Sequence, residues 1–269
     1  MEFYGILGEK LGHSLSPRIH KMIFETIGIE GAYKLFEVSQ DSLDKFSESM
    51  KILKINGANV TIPYKEKIMP YLDVISEEAK AIGAVNTIAL KDNKLYGYNT
   101  DYYGFGYMLD LHKVSVTGKK TLVLGSGGAA KAVVEYLINN NASSICVVSR
   151  NKIHQGIHGD KVRYITYEDV EAEMGDILIN CTPVGMFPND EECPVSDTVI
   201  SNFDTIVDII YNPTETELML RAEAMGKRVV GGLYMLIGQG VRAEELWQDV
   251  IIDESIIKDI YEVLNREFS

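Results

Sequence analysis

The segment from Lys120 to Ile138, KTLVLGSGGAAKAVVEYLI, constrains the fold of this chain more than any other. It contains an apolar β-rich run, a glycine-rich turn and a helix-forming run. In such a unit, Gly125, Gly127 and Gly128 let the backbone approach a pyrophosphate, and the first amides of the helix donate to it. The segment therefore predicts a dinucleotide-binding unit, and a tight turn without a ligand is the alternative.

Strand-forming and helix-forming runs alternate through most of the sequence, which favours α/β layers around a largely parallel sheet. After the glycine-rich turn, the apolar runs SICVVS, DILINC and TIVDII predict the strands of a doubly wound sheet. Before it, FYGILG, AYKLFEV and GANVTI predict further strands. A hairpin turn is expected at Asp92 and Asn93.

Two helices have clear signals. LSPRIHKMIFETIG predicts a helix with Ser16 as its N-cap, Pro17 at its first position and Gly28 past its end. The last helix carries apolar residues that recur at helical spacing, namely Ile256, Ile257, Ile260, Val263 and Leu264.

The polar stretch LHKVSVTGKK indicates a change of domain. We predict an N-terminal α/β substrate domain with a mixed, mostly parallel sheet, made of residues 1–110 and completed by 238–269. Residues 111–237 are predicted to form a doubly wound, Rossmann-like dinucleotide-binding domain. A cleft between the two domains is expected to hold the ligands.

Composition narrows the class of partner. The formal net charge of -13 repels nucleic-acid phosphates and anionic membrane surfaces, so neither is expected as a partner. A small anionic substrate remains compatible with this charge, because a local site can oppose the global sign. No leader and no apolar run long enough to span a bilayer is visible in the sequence.

The three cysteines, Cys146, Cys181 and Cys193, have no CxxC spacing. This argues against a disulfide framework and a zinc site, and a reducing cytoplasm is the expected location. No grouping of Asp, Glu, His and Cys has metal-ligand spacing, so no metal is predicted.

The residues after the second strand of the dinucleotide-binding unit indicate which cofactor is bound. A carboxylate at this position would bind the ribose 2′-hydroxyl of NAD, but the sequence has Arg150, followed by Lys152, and no acid before Asp160. An arginine suits a 2′-phosphate through charge-assisted hydrogen bonds. NADP is therefore favoured, and a surface arginine without a ligand is the alternative.

Polar residues also cluster in the first region. Ser14 and Ser16 lie on a loop that enters a helix, where hydroxyls and unpaired amides can bind a carboxylate. Ser16 alone would be interpreted as a cap. Asn86, Asn99, Thr100 and Asp101 follow apolar stretches, and each taken singly is more typical of a turn.

The stretch NVTIPYK raises the sharpest question, because Lys65 follows a strand that is predicted to be buried. Asn59 and Thr61 share one face by the period of two, and Pro63 ends the strand where α/β sites lie. Lys65 is either a solvated loop residue or, together with Asp101, an acid/base pair.

Eight motifs carry a family resemblance: HSLSP, NVTIPYK, GAVNT, NTD, GSGGAAKA, NCTPVGM, DIIYNP and GLYMLIGQG. They occur in the order seen in shikimate dehydrogenases and run through nearly the whole chain, so the sequence resembles that family. The resemblance implies an NADP-linked enzyme that reversibly reduces 3-dehydroshikimate to shikimate on the route to chorismate and aromatic amino acids. A small-molecule substrate is the implied partner, and a homodimer is left open.

The resemblance also implies roles for individual residues. Lys65 and Asp101 match the catalytic pair. The substrate is expected to contact Ser14, Ser16, Asn59, Thr61, Asn86, Asp101, Tyr211 and Gln239. The cofactor is expected to contact Gly125, Gly127, Gly128, Ala129, Ser149, Arg150, Asn151, Lys152, Thr182 and Gly232.

Two positions depart from the family pattern. Lys21 stands where asparagine is common, and Ser149–Asn151 reads SRN where NRT is common, which removes a threonine hydroxyl from the phosphate site. Two alternatives therefore stay open: a quinate/shikimate dehydrogenase that also uses NAD, and a dinucleotide-binding regulator without catalysis. The presence of both Lys65 and Asp101 argues against the regulator, but the sequence leaves open which of them moves the proton.

Overall fold

The computed structural model describes residues 1–12, 14–150 and 159–268. The chain forms two compact units. Unit 1 consists of Met1–Gly104 and Ile237–Val263, and unit 2 of Phe105–Leu236 and the residues from Leu264 onward. These boundaries fall inside α-helices 101–111, 233–248 and 255–268, and the predicted divisions after residues 110 and 237 fall inside the first two of the same helices. A boundary within a helix leaves no polar or glycine-rich signal in the sequence.

The helices of the described residues are Ser16–Ile27 (α1), Leu43–Leu53 (α2), Glu77–Ile82 (α3), Asp101–Leu111 (α4), Gly128–Asn139 (α5), Asp197–Ser201 (α6), Glu217–Ala224 (α7), Leu233–Gln248 (α8) and Ser255–Phe268 (α9). Short 3₁₀ helices lie at Gln40–Ser42, Met69–Tyr71 and Val170–Ala172.

Unit 1 contains a mixed sheet. Its strands are Glu2–Gly8 (β1), Gly31–Glu37 (β2), Gly57–Val60 (β3), Val74–Ile75 (β4), Thr87–Lys91 (β5) and Lys94–Tyr98 (β6). Their order in the sheet is β2-β1-β3-β5-β6-β4. β1 pairs in parallel with β2 and β3, whereas β5 pairs antiparallel with β3 and β6.

The turn that joins β5 to β6 confirms the predicted hairpin. Asp92 and Asn93 have φ angles of 48° and 61°, the left-handed conformation that a tight two-residue hairpin requires and that these residue types tolerate. Gly28 ends α1 with a φ of 73°, also as predicted.

The start of α1 differs from the prediction. Ser16 is the first helical residue, and Leu15 occupies the N-cap position without a side-chain hydrogen bond. The hydroxyl of Ser14 instead accepts a hydrogen bond of 3.3 Å from the backbone N–H of Ser16. The helix begins one residue earlier than a Ser16 N-cap predicts. The serine whose hydroxyl accepts from a backbone N–H of the helix is therefore Ser14.

Helix α9 places most of its predicted apolar stripe in the interior. Ile256, Ile257, Ile260 and Leu264 are buried, but Val263 is 41% exposed. At roughly 100° per residue, Val263 lies at the edge of the stripe that the other residues define. Val263 has the helical spacing of the stripe, but the face of α9 that is buried is narrower than the set of apolar residues in the sequence predicts.

Unit 2 contains an entirely parallel sheet. Its strands are Lys120–Leu124 (β7), Ser144–Val148 (β8), Val162–Ile165 (β9), Ile177–Asn180 (β10), Thr205–Asp208 (β11) and Arg228–Gly231 (β12). Their order in the sheet is β12-β11-β10-β7-β8-β9, and the direction of this order reverses between β7 and β10. This is the doubly wound order, and it confirms the predicted Rossmann-like topology.

Both faces of this sheet are covered by apolar residues. Val123 and Ile179 belong to one buried cluster, whereas Leu122 and Leu178 belong to another. Burial on both faces explains why these strands read as continuous apolar runs instead of alternating ones.

A polar network fixes the ends of β10 and β11. The side-chain amide of Asn180 donates to both carboxylate oxygens of Asp208 at 3.2 Å. Asp208 also accepts from the backbone N–H of Ile210 at 3.0 Å and from the hydroxyl of Thr216 at 2.8 Å. Burial raises the pKa of Asp208 to about 6, although the hydrogen bonds from these three residues oppose the shift.

Asp208 predicts a pH dependence of stability. Because its folded-state pKa lies above the value of about 3.9 for an unfolded aspartate, the folded protein holds this proton more tightly. Its contribution to the free energy of unfolding is therefore largest below about pH 4 and falls by about 3 kcal/mol as the pH rises through about 6. Asp208→Asn cannot ionise, so the wild type should lose that much stability relative to the variant between these limits.

Urea denaturation of both proteins at several pH values measures this difference, since the other carboxylates cancel in the comparison. A difference that stays constant with pH would contradict the titration of Asp208 in this range.

Candidate active site

Lys65 and Asp101 form a close ion pair in unit 1. The distance from Lys65 Nζ to Asp101 Oδ2 is 2.5 Å, and the two side chains are only 13% and 3% exposed. Lys65 follows β3 in a turn, whereas Asp101 is the first residue of α4. A solvated loop lysine would be largely exposed, so that interpretation of Lys65 does not hold.

The backbone around Lys65 is held on both sides. The preceding residue, Tyr64, is fully buried, and its hydroxyl donates to the carbonyl oxygen of Val38 at 2.5 Å. The carbonyl oxygen of Lys65 accepts from the backbone N–H of Val85 at 2.8 Å. These contacts fix the point from which the lysine side chain reaches Asp101.

Asn86 organises the polar residues around this pair. Its amide oxygen accepts from the backbone N–H of Thr100 at 2.6 Å and from the hydroxyls of Thr100 and Thr87. Its amide nitrogen donates to Gln239 Oε1 at 2.9 Å. Asn86 therefore holds the residue before Asp101 and links it to α8.

Asn99 has the turn-forming role that its sequence position favours. Its amide nitrogen donates to the carbonyl oxygen of Ala84 at 2.9 Å, and its amide oxygen accepts from the backbone N–H of Tyr102 at 3.3 Å. The second bond satisfies an amide in the first turn of α4.

Asn59 connects to the same network from β3. Its amide nitrogen donates to Thr87 Oγ1 at 3.2 Å, and its amide oxygen accepts from the hydroxyl of Tyr33 at 2.7 Å. Tyr33 was not among the predicted site residues. It lies in the middle of β2, opposite Tyr4, where a tyrosine carries no signal in the sequence beyond β propensity.

The serine loop meets Tyr33 from α1. Ser16 forms a side-chain hydrogen bond with the phenol of Tyr33. Ser14 is partly buried, and its backbone N–H donates to the carbonyl oxygen of Leu11 at 2.9 Å. Thr61 lies one residue past the end of β3, and its backbone N–H donates to Leu7.

Unit 1 thus brings a large part of the predicted substrate set together. Ser16, Asn59, Asn86 and Gln239 are joined through Tyr33 and Thr87, next to the Lys65–Asp101 pair. Tyr211 lies in unit 2, after β11, and burial raises its pKa.

Two of the predicted cofactor residues, Gly125 and Thr182, lie where the strand order of unit 2 reverses, after β7 and β10. Gly125 follows β7 with a φ of 104°, and a Cβ atom there would lie 3.1 Å from Cys181 O and 3.2 Å from Thr182 Cγ2. This loop therefore needs glycine both for its conformation and for its contact with the segment after β10. Asn180 Oδ1 holds Thr182 through its backbone N–H at 3.0 Å and its hydroxyl at 2.7 Å.

The start of α5 fits a phosphate group. Gly127 is its N-cap and provides no side-chain hydrogen bond to this end. A Cβ atom at Gly127 would meet nothing within 4 Å, so there is space in front of the helix. Gly128 and Ala129 supply amides of the first turn, which have no partner inside the helix and can donate to an anion.

Ser149 and Arg150 follow β8. Ser149 is buried, and its backbone N–H donates to the carbonyl oxygen of Ile165 at 3.1 Å. Arg150 is exposed. Burial raises the pKa of Tyr167, and the positive charge of Arg150 opposes this shift. Asn151 and Lys152 lie outside the described residues.

Gly232 has a structural reason to be glycine. A Cβ atom at this position would lie 2.2 Å from the carbonyl oxygen of Ile209, and the backbone N–H of Gly232 donates to Ile210 at 3.1 Å. The close approach of two backbone segments precedes α8. The sequence pattern alone could not separate this packing role from a role in binding the cofactor.

Across residues 1–12, 14–150 and 159–268, no group of three or more His, Cys, Asp or Glu side chains could hold a metal ion. In the same part of the chain, Cys146, Cys181 and Cys193 form no disulfide. Among the helices described above, none is both long and apolar enough to span a membrane.

Comparison with known proteins places this geometry in a family. Residues 6–88 match the family model of the shikimate dehydrogenase substrate binding domain. The chain is 51% identical to the shikimate dehydrogenase (NADP(+)) of Clostridium beijerinckii, with 100% of both chains covered. It also matches the crystal structure of shikimate dehydrogenase 1 from Peptoclostridium difficile, with 50% identity, a TM-score of 0.93 and coverage of 100% of this chain and 99% of that chain.

A more distant structure gives the same result. The shikimate 5-dehydrogenase of Thermus thermophilus, in complex with NADP(H) and shikimate, is 31% identical, with a TM-score of 0.84 and coverage of 96% of this chain and 98% of that chain. The match at 51% identity over the full length of both chains shows that the present chain belongs to the shikimate dehydrogenase family.

Proposed function

We propose that this protein reduces 3-dehydroshikimate to shikimate with NADPH and catalyses the reverse reaction with NADP. The observation that carries the proposal is the buried Lys65–Asp101 pair, which lies against the amide network of Asn86 and Gln239. The carboxylate of Asp101 orients the side chain of Lys65, which can exchange a proton with a substrate oxygen.

NADPH supplies the hydride when it is bound. The ketone oxygen gains negative charge as the hydride arrives, and the Lys65 ammonium donates a hydrogen bond to that oxygen and then a proton. Asp101 balances the charge of Lys65 and holds its side chain. The interaction strengthens as charge develops, so the pair stabilises the transition state more than the bound ketone. In the reverse direction, the pair accepts the hydroxyl proton.

The remaining polar residues of unit 1 suit the rest of the substrate. The hydroxyls of Ser14 and Ser16, beside the N-terminus of α1, can donate to the substrate carboxylate. Asn59, Thr61, Asn86 and Gln239 can bind ring hydroxyls through their amide and hydroxyl groups. We assign Tyr211 of unit 2 to the substrate as well, on the family resemblance of DIIYNP.

Unit 2 is proposed to hold the cofactor. Its pyrophosphate suits the open start of α5, lined by Gly125, Gly127, Gly128 and Ala129, with Thr182 beside the glycine loop. Arg150 is assigned to the 2′-phosphate of NADP, with Ser149, Asn151 and Lys152 around it, and Gly232 completes the set. A cytoplasmic location and a homodimer stay predictions.

The first test replaces the lysine. Lys65→Met should lower turnover by about 10²–10⁴-fold, the usual range for a positioned acid or base, with less effect on the Michaelis constant. Asp101→Asn should also be slow, and the double variant should lose less than the product of the two effects, because the pair acts as a unit. Steady-state kinetics that follow NADPH absorbance measure both effects.

Lys67→Met is the matched control. Lys67 is an exposed lysine two residues further along, bonded to Gln40 at 2.6 Å, and its loss should leave turnover unchanged. A folded Lys65→Met variant that keeps wild-type turnover would remove Lys65 from the chemistry.

The second test concerns the cofactor. Arg150→Asp removes a charge-assisted hydrogen bond to the 2′-phosphate and adds repulsion, so kcat/KM with NADPH should fall by about 10- to 100-fold, while kcat/KM with NADH should not fall. Lys161→Asp makes a similar charge change at an exposed position of the same unit and serves as the control. An unchanged NADPH preference in Arg150→Asp would refute the assignment.

The third test separates binding from capping at the serine loop. Ser14→Ala and Ser16→Ala should both raise the Michaelis constant for shikimate and leave that for NADP unchanged. Ser14→Ala should in addition lower the free energy of unfolding by about 1 kcal/mol, because the Ser14 hydroxyl accepts from a helix amide. If neither variant alters the shikimate kinetics, the serines do not bind the carboxylate.

A further inference from the structure

We propose that Tyr33 is a positioning residue of the substrate site, whose hydroxyl fixes the orientation of the Asn59 amide and keeps one N–H of Asn59 available to the substrate. This inference rests on the proposed function. It concerns a residue of β2 that no sequence motif marks.

The orientation of Asn59 follows from the protons available to its neighbours. Its oxygen accepts from Tyr33 at 2.7 Å, and its nitrogen donates to Thr87 Oγ1 at 3.2 Å. Thr87 has a single hydroxyl proton, and two acceptors lie within its reach: Asn86 Oδ1 at 3.1 Å and Thr100 Oγ1 at 3.0 Å, the latter as donor or acceptor. A flipped Asn59 would turn its oxygen toward Thr87 and would have to draw this proton away from Asn86 and Thr100.

Tyr33 supplies the other half of this constraint. As a donor, its hydroxyl pairs with the oxygen of Asn59. After a flip it would face the N–H groups instead. With the observed orientation, Asn59 uses one of its two N–H bonds on Thr87 and retains the second for a substrate hydroxyl oxygen. Without the Tyr33 hydroxyl, Thr87 would be the remaining side-chain partner of Asn59 in the part of the chain that the structure describes.

The ionisation state of Tyr33 suits this role. Burial raises the pKa of Tyr33 well above its ordinary value, although the hydrogen bond with Ser16 opposes the shift. The phenol therefore keeps its proton at neutral pH and acts as a donor. The same hydroxyl is bonded to Ser16, and because the proton of Tyr33 goes to Asn59, Ser16 donates this bond and has to turn its proton to the substrate carboxylate when the substrate binds.

The ring of Tyr33 is held independently of its hydroxyl. It stacks on the imidazole of His20, with the ring centroids 4.2 Å apart and an interplanar angle of 11°. His20 is itself fixed by a contact of 2.5 Å from its Nδ1 to Oε1 of the buried Glu244. Tyr33→Phe should therefore keep the ring in place and delete only the hydrogen bonds.

The experiment measures shikimate oxidation by the wild type and by Tyr33→Phe. The variant should raise the Michaelis constant for shikimate about three- to tenfold, the range that one neutral hydrogen bond supports. Turnover should stay within about twofold, and the Michaelis constant for NADP should not change. Calorimetric titration with shikimate should show the same loss of affinity.

Tyr4→Phe is the matched control. It also removes a phenol hydroxyl in unit 1, bonded to Glu2 and Gln248, which are not among the residues assigned to the substrate. Its Michaelis constant for shikimate should match the wild type. An equal rise in both variants would point to a general structural effect and overturn the inference.

A double-mutant cycle tests whether Tyr33 acts through Asn59. If it does, Tyr33→Phe combined with Asn59→Ala should bind shikimate no more weakly than Asn59→Ala alone. Asn59→Asp retains an acceptor for Tyr33 but has no N–H, so it should raise the Michaelis constant at least as much as Tyr33→Phe. Effects that multiply in the double variant would overturn the inference.

The outcomes also separate this inference from the proposed function. A wild-type protein without shikimate turnover would refute the proposed function. A wild type that turns over shikimate, together with a Tyr33→Phe variant of unchanged Michaelis constant, would refute only the role of Tyr33.

Discussion

The buried amide of Asn86 is the interaction on which the geometry of unit 1 depends. Its backbone pairs with Val60 at 2.7 Å and with Tyr98 at 3.0 Å, so its position is set by β3 and β6. Its side chain then accepts from the backbone N–H of Thr100 and donates to Gln239. A buried amide that lost either partner would be costly, so this one residue ties the strand ends to α4 and α8.

The Lys65–Asp101 pair is a consequence of that arrangement. Asp101 follows the residue that Asn86 holds, and Lys65 follows a tyrosine that is fully buried. Removing both charges from water costs more than an isolated pair regains, so such a pair contributes little to stability by itself. The surrounding network holds the two charged groups in place, and their cost is consistent with a role in chemistry more than in folding.

The sequence predicted those features that depend on local chemistry. Asp92 and Asn93 adopt the turn that their residue types favour, and the parallel strands of unit 2 follow the apolar runs. The sequence did not predict Tyr33 or its stacking partner His20, because their roles depend on contacts between distant segments. His20 meets Glu244, which is 224 positions away along the chain. The division between the two units lies inside helices, where local composition does not give its position.

Buried side-chain amides are oriented by their hydrogen-bond partners in both units, namely Asn86 and Asn59 in unit 1 and Asn180 in unit 2. Comparison of these three amides shows at which one a single substitution has the most effect on orientation. Asn86 is fixed by the backbone N–H of Thr100, which can only donate. Asn180 is fixed by the backbone N–H of Thr182 on one side and, above a pH of about 6, by the carboxylate of Asp208 on the other, which can only accept. Neither amide can flip without burying an unpaired group.

Asn59 differs from both, because its two partners are hydroxyls, and a hydroxyl can donate or accept. Its orientation therefore depends on where the neighbouring hydroxyl protons go: the proton of Thr87 is shared between Asn86 and Thr100, and Tyr33 donates its own to Asn59. An orientation that depends on hydroxyl protons has a smaller energy gap than one that depends on backbone amides or a carboxylate. Among these three amides, Asn59 is consequently the one that can flip after the loss of a single hydroxyl. The flip would exchange the positions of its oxygen and its nitrogen.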